Sequence, residues 1–79
     1  MKYKIGDLIV EICYRYKKDY RKGYVTTVRE GISPDNQVVG ITWFDIEQED
    51  AYPSILIDDW VSRNNAKHYP VNKDEEKEI

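Results

Sequence analysis

Apolar residues in this chain fall in short runs with period-two alternation, the spacing of strands whose side chains point to opposite faces. Leu8-Ile9-Val10-Glu11-Ile12-Cys13 is the first such run. With Glu11 facing solvent, alternation assigns Leu8, Val10 and Ile12 to the core. Lys4-Ile5-Gly6-Asp7 ahead of it reads as a tight turn. Gly23 opens a second strand, Tyr24 to Arg29, and the turn-rich Gly31-Ile32-Ser33-Pro34-Asp35-Asn36 closes it. Val38 to Phe44 is the third strand, with Val39, Ile41 and Trp43 inward and Phe44 outward. Gly40 within it marks a bend, a bulge or a close backbone approach. Tyr52-Pro53-Ser54-Ile55-Leu56-Ile57 reads as a fourth strand, with Pro53 at an edge. Asp58-Asp59 begins a single helical turn, Trp60-Val61-Ser62-Arg63 forms a fifth strand, and Asn64-Asn65 breaks the pattern.

Composition strengthens the all-β reading. Of the 18 aliphatic residues (nine Ile, seven Val, two Leu), 16 are β-branched, and Ala occurs only twice. In 79 residues the chain holds one small domain with a thin core. No apolar stretch approaches the ~18 residues of a membrane span, and no signal-peptide pattern opens the chain. Five short strands must hide their edges, and closing into a small barrel around Trp43 and Trp60 does so. The barrel is expected over residues 1–66, with a charged, frayed acidic tail over 67–79.

Several of these pieces resemble SH3-like small barrels of the Tudor, KOW and chromo-barrel type. They are Lys4-Ile5-Gly6-Asp7-Leu8-Ile9-Val10, Gly23-Tyr24-Val25, Ile41-Thr42-Trp43-Phe44-Asp45, and Tyr52 with Leu56. The resemblance spans roughly residues 3–63 and describes a fold more than one family. It implies a five-stranded SH3-like barrel that binds a partner beside its first long loop. In size and style the chain also resembles small bacteriophage proteins.

Charge sharpens this picture. Residues 1–29 carry eight Lys/Arg against three Asp/Glu, whereas residues 30–62 carry eight Asp/Glu and no Lys or Arg, and the remainder balances to give −3. The two blocks either pair on neighbouring strands or form a dipolar surface. Within the basic block, Arg15, Lys17, Lys18, Arg21 and Lys22 interleave with Tyr14, Tyr16, Tyr20 and Tyr24 around Asp19, in a long loop or projecting hairpin. Cations neutralise phosphates and tyrosine rings stack on bases, so this stretch can meet nucleic acid or a nucleoprotein. It can equally dock a protein, or simply be a solvated hairpin. Tyr14 or Tyr16, Tyr24, Phe44 and Tyr52 could gather into an aromatic rim, even a cage for a methylated cation.

Catalytic chemistry has little to build on. His68 is the sole histidine, no nucleophile setting accompanies it, and no phosphate-binding Gly-rich run occurs. Cys13 is alone, which excludes an internal disulfide and suits a reducing cytoplasmic setting. One Cys and one His cannot build a zinc site, and Asp45, Glu47, Glu49 and Asp50 lack the glycine and spacing of a calcium loop. The expectation is therefore a non-enzymatic binding module without cofactor, metal or membrane partner. Its first partner class is protein, met through Tyr14, Tyr16, Tyr20, Tyr24, Phe44 and Tyr52. Nucleic acid, through Arg15, Lys17, Lys18, Arg21 and Lys22, is the alternative, and head-to-tail self-association of the charge blocks is a third possibility.

Overall fold

The computed structural model describes residues 3–13, 18–31, 33 and 35–71. Its chain order is β1 (Leu8–Cys13), β2 (Lys18–Glu30), β3 (Gln37–Trp43), β4 (Gln48–Pro53), α1 (Ser54–Ser62) and β5 (Ala66–Tyr69). All five strands are antiparallel in one sheet of order β4-β3-β2-β1-β5. The first four form a meander, and the last returns to the free side of β1. The all-β class, the five strands and the helix before the last strand therefore stand. β4 and β5 share no ladder, so hydrogen bonds do not close the sheet. Instead α1 packs against β3, β4 and β5 across that gap.

The core lies on the face of the sheet that α1 covers. Tyr3, Ile9, Val25, Val39, Ile41, Trp43 and Ile57 form its buried cluster, with Val28, Tyr52, Trp60 and Val61 packed on it. Val39, Ile41 and Trp43 point inward as alternation requires. In β1 the expected phase is reversed, because Ile9 joins the core cluster while Leu8 and Val10 face the other side. Glu11 shares the face of Ile9, and Arg21, its register partner on β2, neutralises it there. Gly40 is a close approach: it sits opposite a β2 bulge, between Thr27 and Glu49, where a Cβ would collide with both side chains.

The second half of the chain departs from the sequence expectation. The acidic stretch Asp45 to Asp50, which the sequence reads as a connection, is split: residues 44–47 form a turn, with Glu47 at φ 51°, and β4 follows directly. Residues 54–62, expected as the end of one strand, a single turn and another strand, form one nine-residue helix. Asn36, from the β2–β3 loop, caps this helix: its Oδ1 accepts from the Ile55 amide at 3.3 Å and from Ser54 Oγ at 3.2 Å. At the other end the Asn65 amide donates to Trp60 O, and Asn64, at φ 62°, donates to Val61 O. These two bonds make a Schellman C-cap. Trp60 thus lies on the helix, partly buried, with its ring edge-on to Tyr52 at 5.0 Å.

β5 occupies residues assigned above to a tail. Lys67, His68 and Tyr69 pair with β1, and the Val71 amide donates to Asp7 Oδ1 at 2.8 Å, so the folded body reaches at least Val71. The carboxylate of Asp7, 1% exposed, also hydrogen-bonds His68 Nε2 at 2.7 Å and the Lys4 amide at 3.0 Å. Tyr3 packs on His68, ring centroids 4.7 Å apart and planes tilted by 46°, and donates to Asp58 Oδ1 at 2.5 Å. The first turn, α1 and β5 are thereby clasped together. No helix among the described residues is long and apolar enough to cross a membrane.

Candidate functional site

The β1–β2 hairpin and the β3–β4 turn lie at the same end of the sheet. The Phe44 amide, just past β3, donates to Lys22 O on β2 at 2.8 Å. Phe44 therefore leaves the core face occupied by Trp43 and lies against Tyr24, ring centroids 5.0 Å apart at 52°. Both rings are half exposed, at 49% and 47%. Beside them a shallow groove of about 390 Å³ is lined by Asp19, Tyr20, Arg21, Lys22, Phe44 and Asp45. Of the stretch 14–22, read as a long loop or a projecting hairpin, the described part is strand: Asp19 and Lys18 pair with Ile12 and Cys13. A bulge between Glu11 and Ile12 leaves Tyr20 as the extra residue on β2.

The expected site residues divide between the two faces of the sheet. Lys18, Tyr20, Lys22, Tyr24 and Phe44 are exposed. Arg21 is turned inward: Nε donates to Glu11 Oε1 at 2.6 Å, and the guanidinium carbon lies 3.9 Å from the Trp43 ring centroid. Desolvation disfavours its charge, but the hydrogen bond and field of Glu11 outweigh that and hold its proton more tightly than usual. Arg21 is therefore engaged in packing, with 24% of its side chain still exposed, and it also lines the groove. Tyr52 is likewise structural. Its hydroxyl accepts from Trp43 Nε1 at 3.3 Å and donates to Asp50 Oδ2 at 3.4 Å, on the side of the sheet away from Tyr24 and Phe44. Of the rim expected from Tyr14 or Tyr16, Tyr24, Phe44 and Tyr52, the described residues bring Tyr24 and Phe44 together and place Tyr52 apart. Tyr14, Arg15, Tyr16 and Lys17 lie outside the described residues, as does the side chain of Cys13.

Two residues that sequence reasoning missed join this surface from β5. Register aligns Glu49, Thr42, Tyr24, Leu8 and Tyr69 in one row across all five strands. A neighbouring row aligns Lys22, Val10 and Lys67. Because His68 faces inward to Asp7, Lys67 and Tyr69 face outward, and Tyr69 is 48% exposed. Assigning residues 67–69 to a tail concealed this. The alternation Lys67-His68-Tyr69 before Pro70 was the available signal.

Members of the two charge blocks meet at the turn end of the sheet. Lys22 and Asp45 line one groove, and Glu49 of β4 lies on the same face as Lys22 and Lys67. Hydrogen bonds from Thr26 and Thr27 to Glu49 Oε2 hold its carboxyl below the usual range. Alternation separates Glu49 from Asp50, which faces Tyr52. Among the described residues no group of three or more His, Cys, Asp or Glu side chains is placed to hold a metal ion. No family model, curated protein or solved structure matches this chain.

Proposed function

We propose that this protein is a small non-enzymatic binding module that docks a protein partner on the outer face of its sheet, through Tyr24, Phe44, Tyr20 and Lys22. The observation that carries this reading is the Tyr24–Phe44 pair: two large rings half open to solvent beside a groove. Aromatic residues are enriched at protein interfaces because they bury much area for little loss of rotamer freedom. A meander whose fifth strand returns beside β1 after a helix supports an SH3-like barrel of the Tudor, KOW or chromo-barrel type, as the sequence resemblance implies. Nucleic acid is the less supported partner. Arg21 is consumed by Glu11 and Trp43, and Asp19 and Asp45 place carboxylates in the groove that a phosphate backbone would have to approach.

Selection from a randomised displayed-peptide library, with Phe44→Ser as the counter-selection target, tests this. Peptides retained by the native protein and lost by the variant support it. Enrichment indifferent to Phe44→Ser, or salt-sensitive binding of labelled oligonucleotides in place of peptides, would overturn it.

A further inference from the structure

The outer face extends well beyond the aromatic pair, and its chemistry narrows the partner. Tyr24, Leu8 and Tyr69 form an apolar row over β2, β1 and β5, while Lys22 and Lys67 flank Val10 in the next row. Val10, between them on the same face, is buried. Two inter-strand spacings separate the lysines, so their attachment points are about 10 Å apart. The two rows lie about 7 Å apart along the strands. This half of the face is cationic along one side and apolar along the other. Toward β4 the same row ends in Glu49, and the groove at the hairpin end adds Asp19 and Asp45.

Resting on the reading above, we infer that the partner is an acidic protein segment with an apolar anchor, laid across β2, β1 and β5. Its anchor packs between Tyr24 and Tyr69, and its carboxylates meet Lys22 and Lys67. Glu49, Asp19 and Asp45 repel those carboxylates from the β4 side and the hairpin end, which confines the segment to β2, β1 and β5. Lys67 and Tyr69 belong to the site only because β5 pairs with β1.

The test uses the whole chain and fluorescein-labelled synthetic peptides. In one, Asp and Glu alternate with Leu and Phe; in its control, Lys replaces every acid. The acidic peptide is expected to bind, to weaken with added salt, and to lose about tenfold in affinity with either Lys22→Glu or Lys67→Glu. Lys67→Gln, which keeps the stem, gives an intermediate loss and guards against a misfolded charge reversal; thermal melts of each variant establish folding. Equal binding of the basic control, no effect of Lys67→Glu in a folded variant, tighter binding of a labelled oligothymidine, or sedimentation showing a second copy of this chain on the face would each overturn the inference. If library-selected peptides need Phe44 but ignore Lys67, the inference fails while the protein-docking reading survives.

Discussion

The guanidinium of Arg21 lies 3.9 Å from the centroid of the Trp43 ring while its Nε donates to Glu11 at 2.6 Å. This arrangement explains how a thin core tolerates a carboxylate on its own face of the sheet. Glu11 and Arg21 are partly buried, at 28% and 24% side-chain exposure, and each removes the other's desolvation problem.

Replacing Arg21 is therefore expected to affect stability before it affects any binding. Arg21→Ala should cost about 2 kcal/mol, from the lost cation–π contact and the stranding of Glu11. Arg21→Lys should recover only part of this, because an ammonium cannot lie flat on the indole while meeting the carboxylate. Urea denaturation midpoints measure both.

Gly23 predicts a second cost. A Cβ there would lie 2.7 Å from Thr42 O and 2.9 Å from Cε3 of Trp43, and neither backbone nor buried indole can yield easily. Gly23→Ala should destabilise by about 1–3 kcal/mol, read from thermal melts.

Much of the first half of this fold is legible in the sequence, and the reasons for the misses are local. β3 shows inside and outside plainly because Val39, Ile41 and Trp43 alternate with Gly40, Thr42 and Phe44. β1 misleads because it is apolar at nearly every position, and Glu11, the residue used to fix its phase, is neutralised by a partner far along the chain. Ile55-Leu56-Ile57 reads as strand from β-branching alone, yet Ser54 and Ile57, three apart, are the buried helix residues. The caps that decide the matter come from Asn36 and Asn64, outside the run itself. Of the candidate site, Tyr24 and Phe44 could be found by alternation. Arg21 keeps the inward phase of Gly23 and Val25, which reading its stretch as a loop or hairpin conceals, and Tyr52 is concealed because its strand begins at Gln48 and not at Tyr52.

Asn64 offers a direct check on the helix end. It holds φ 62°, a conformation glycine adopts without a Cβ penalty. Asn64→Gly should leave stability equal or raise it by a few tenths of a kcal/mol, whereas Asn64→Val should lower it by about 1–2 kcal/mol. Loss of helical circular dichroism on heating follows both variants.

Acid should loosen the clasp around Asp7. Burial pushes its carboxyl upward, but hydrogen bonds from the Val71 amide, His68 and the Lys4 amide outweigh burial and hold it below the usual range. As pH falls through about 4 the unfolded chain takes up the proton first. The stability due to Asp7 is thus complete above that point and lost as pH drops through the lower native titration. Asp7→Asn should be less stable at neutral pH and should flatten this acid-side slope. Urea midpoints between neutral and strongly acidic pH measure it.

The central claim is that Tyr24 and Phe44 are exposed in order to bind. The most direct measurement is to compare Tyr24→Ser, Phe44→Ser and the native chain for thermal stability and for affinity toward one library-selected peptide. The account predicts melting temperatures close to native, since half of each ring already lies in water, and about tenfold or greater loss of affinity for each variant. Unchanged affinity in variants that remain folded would contradict it.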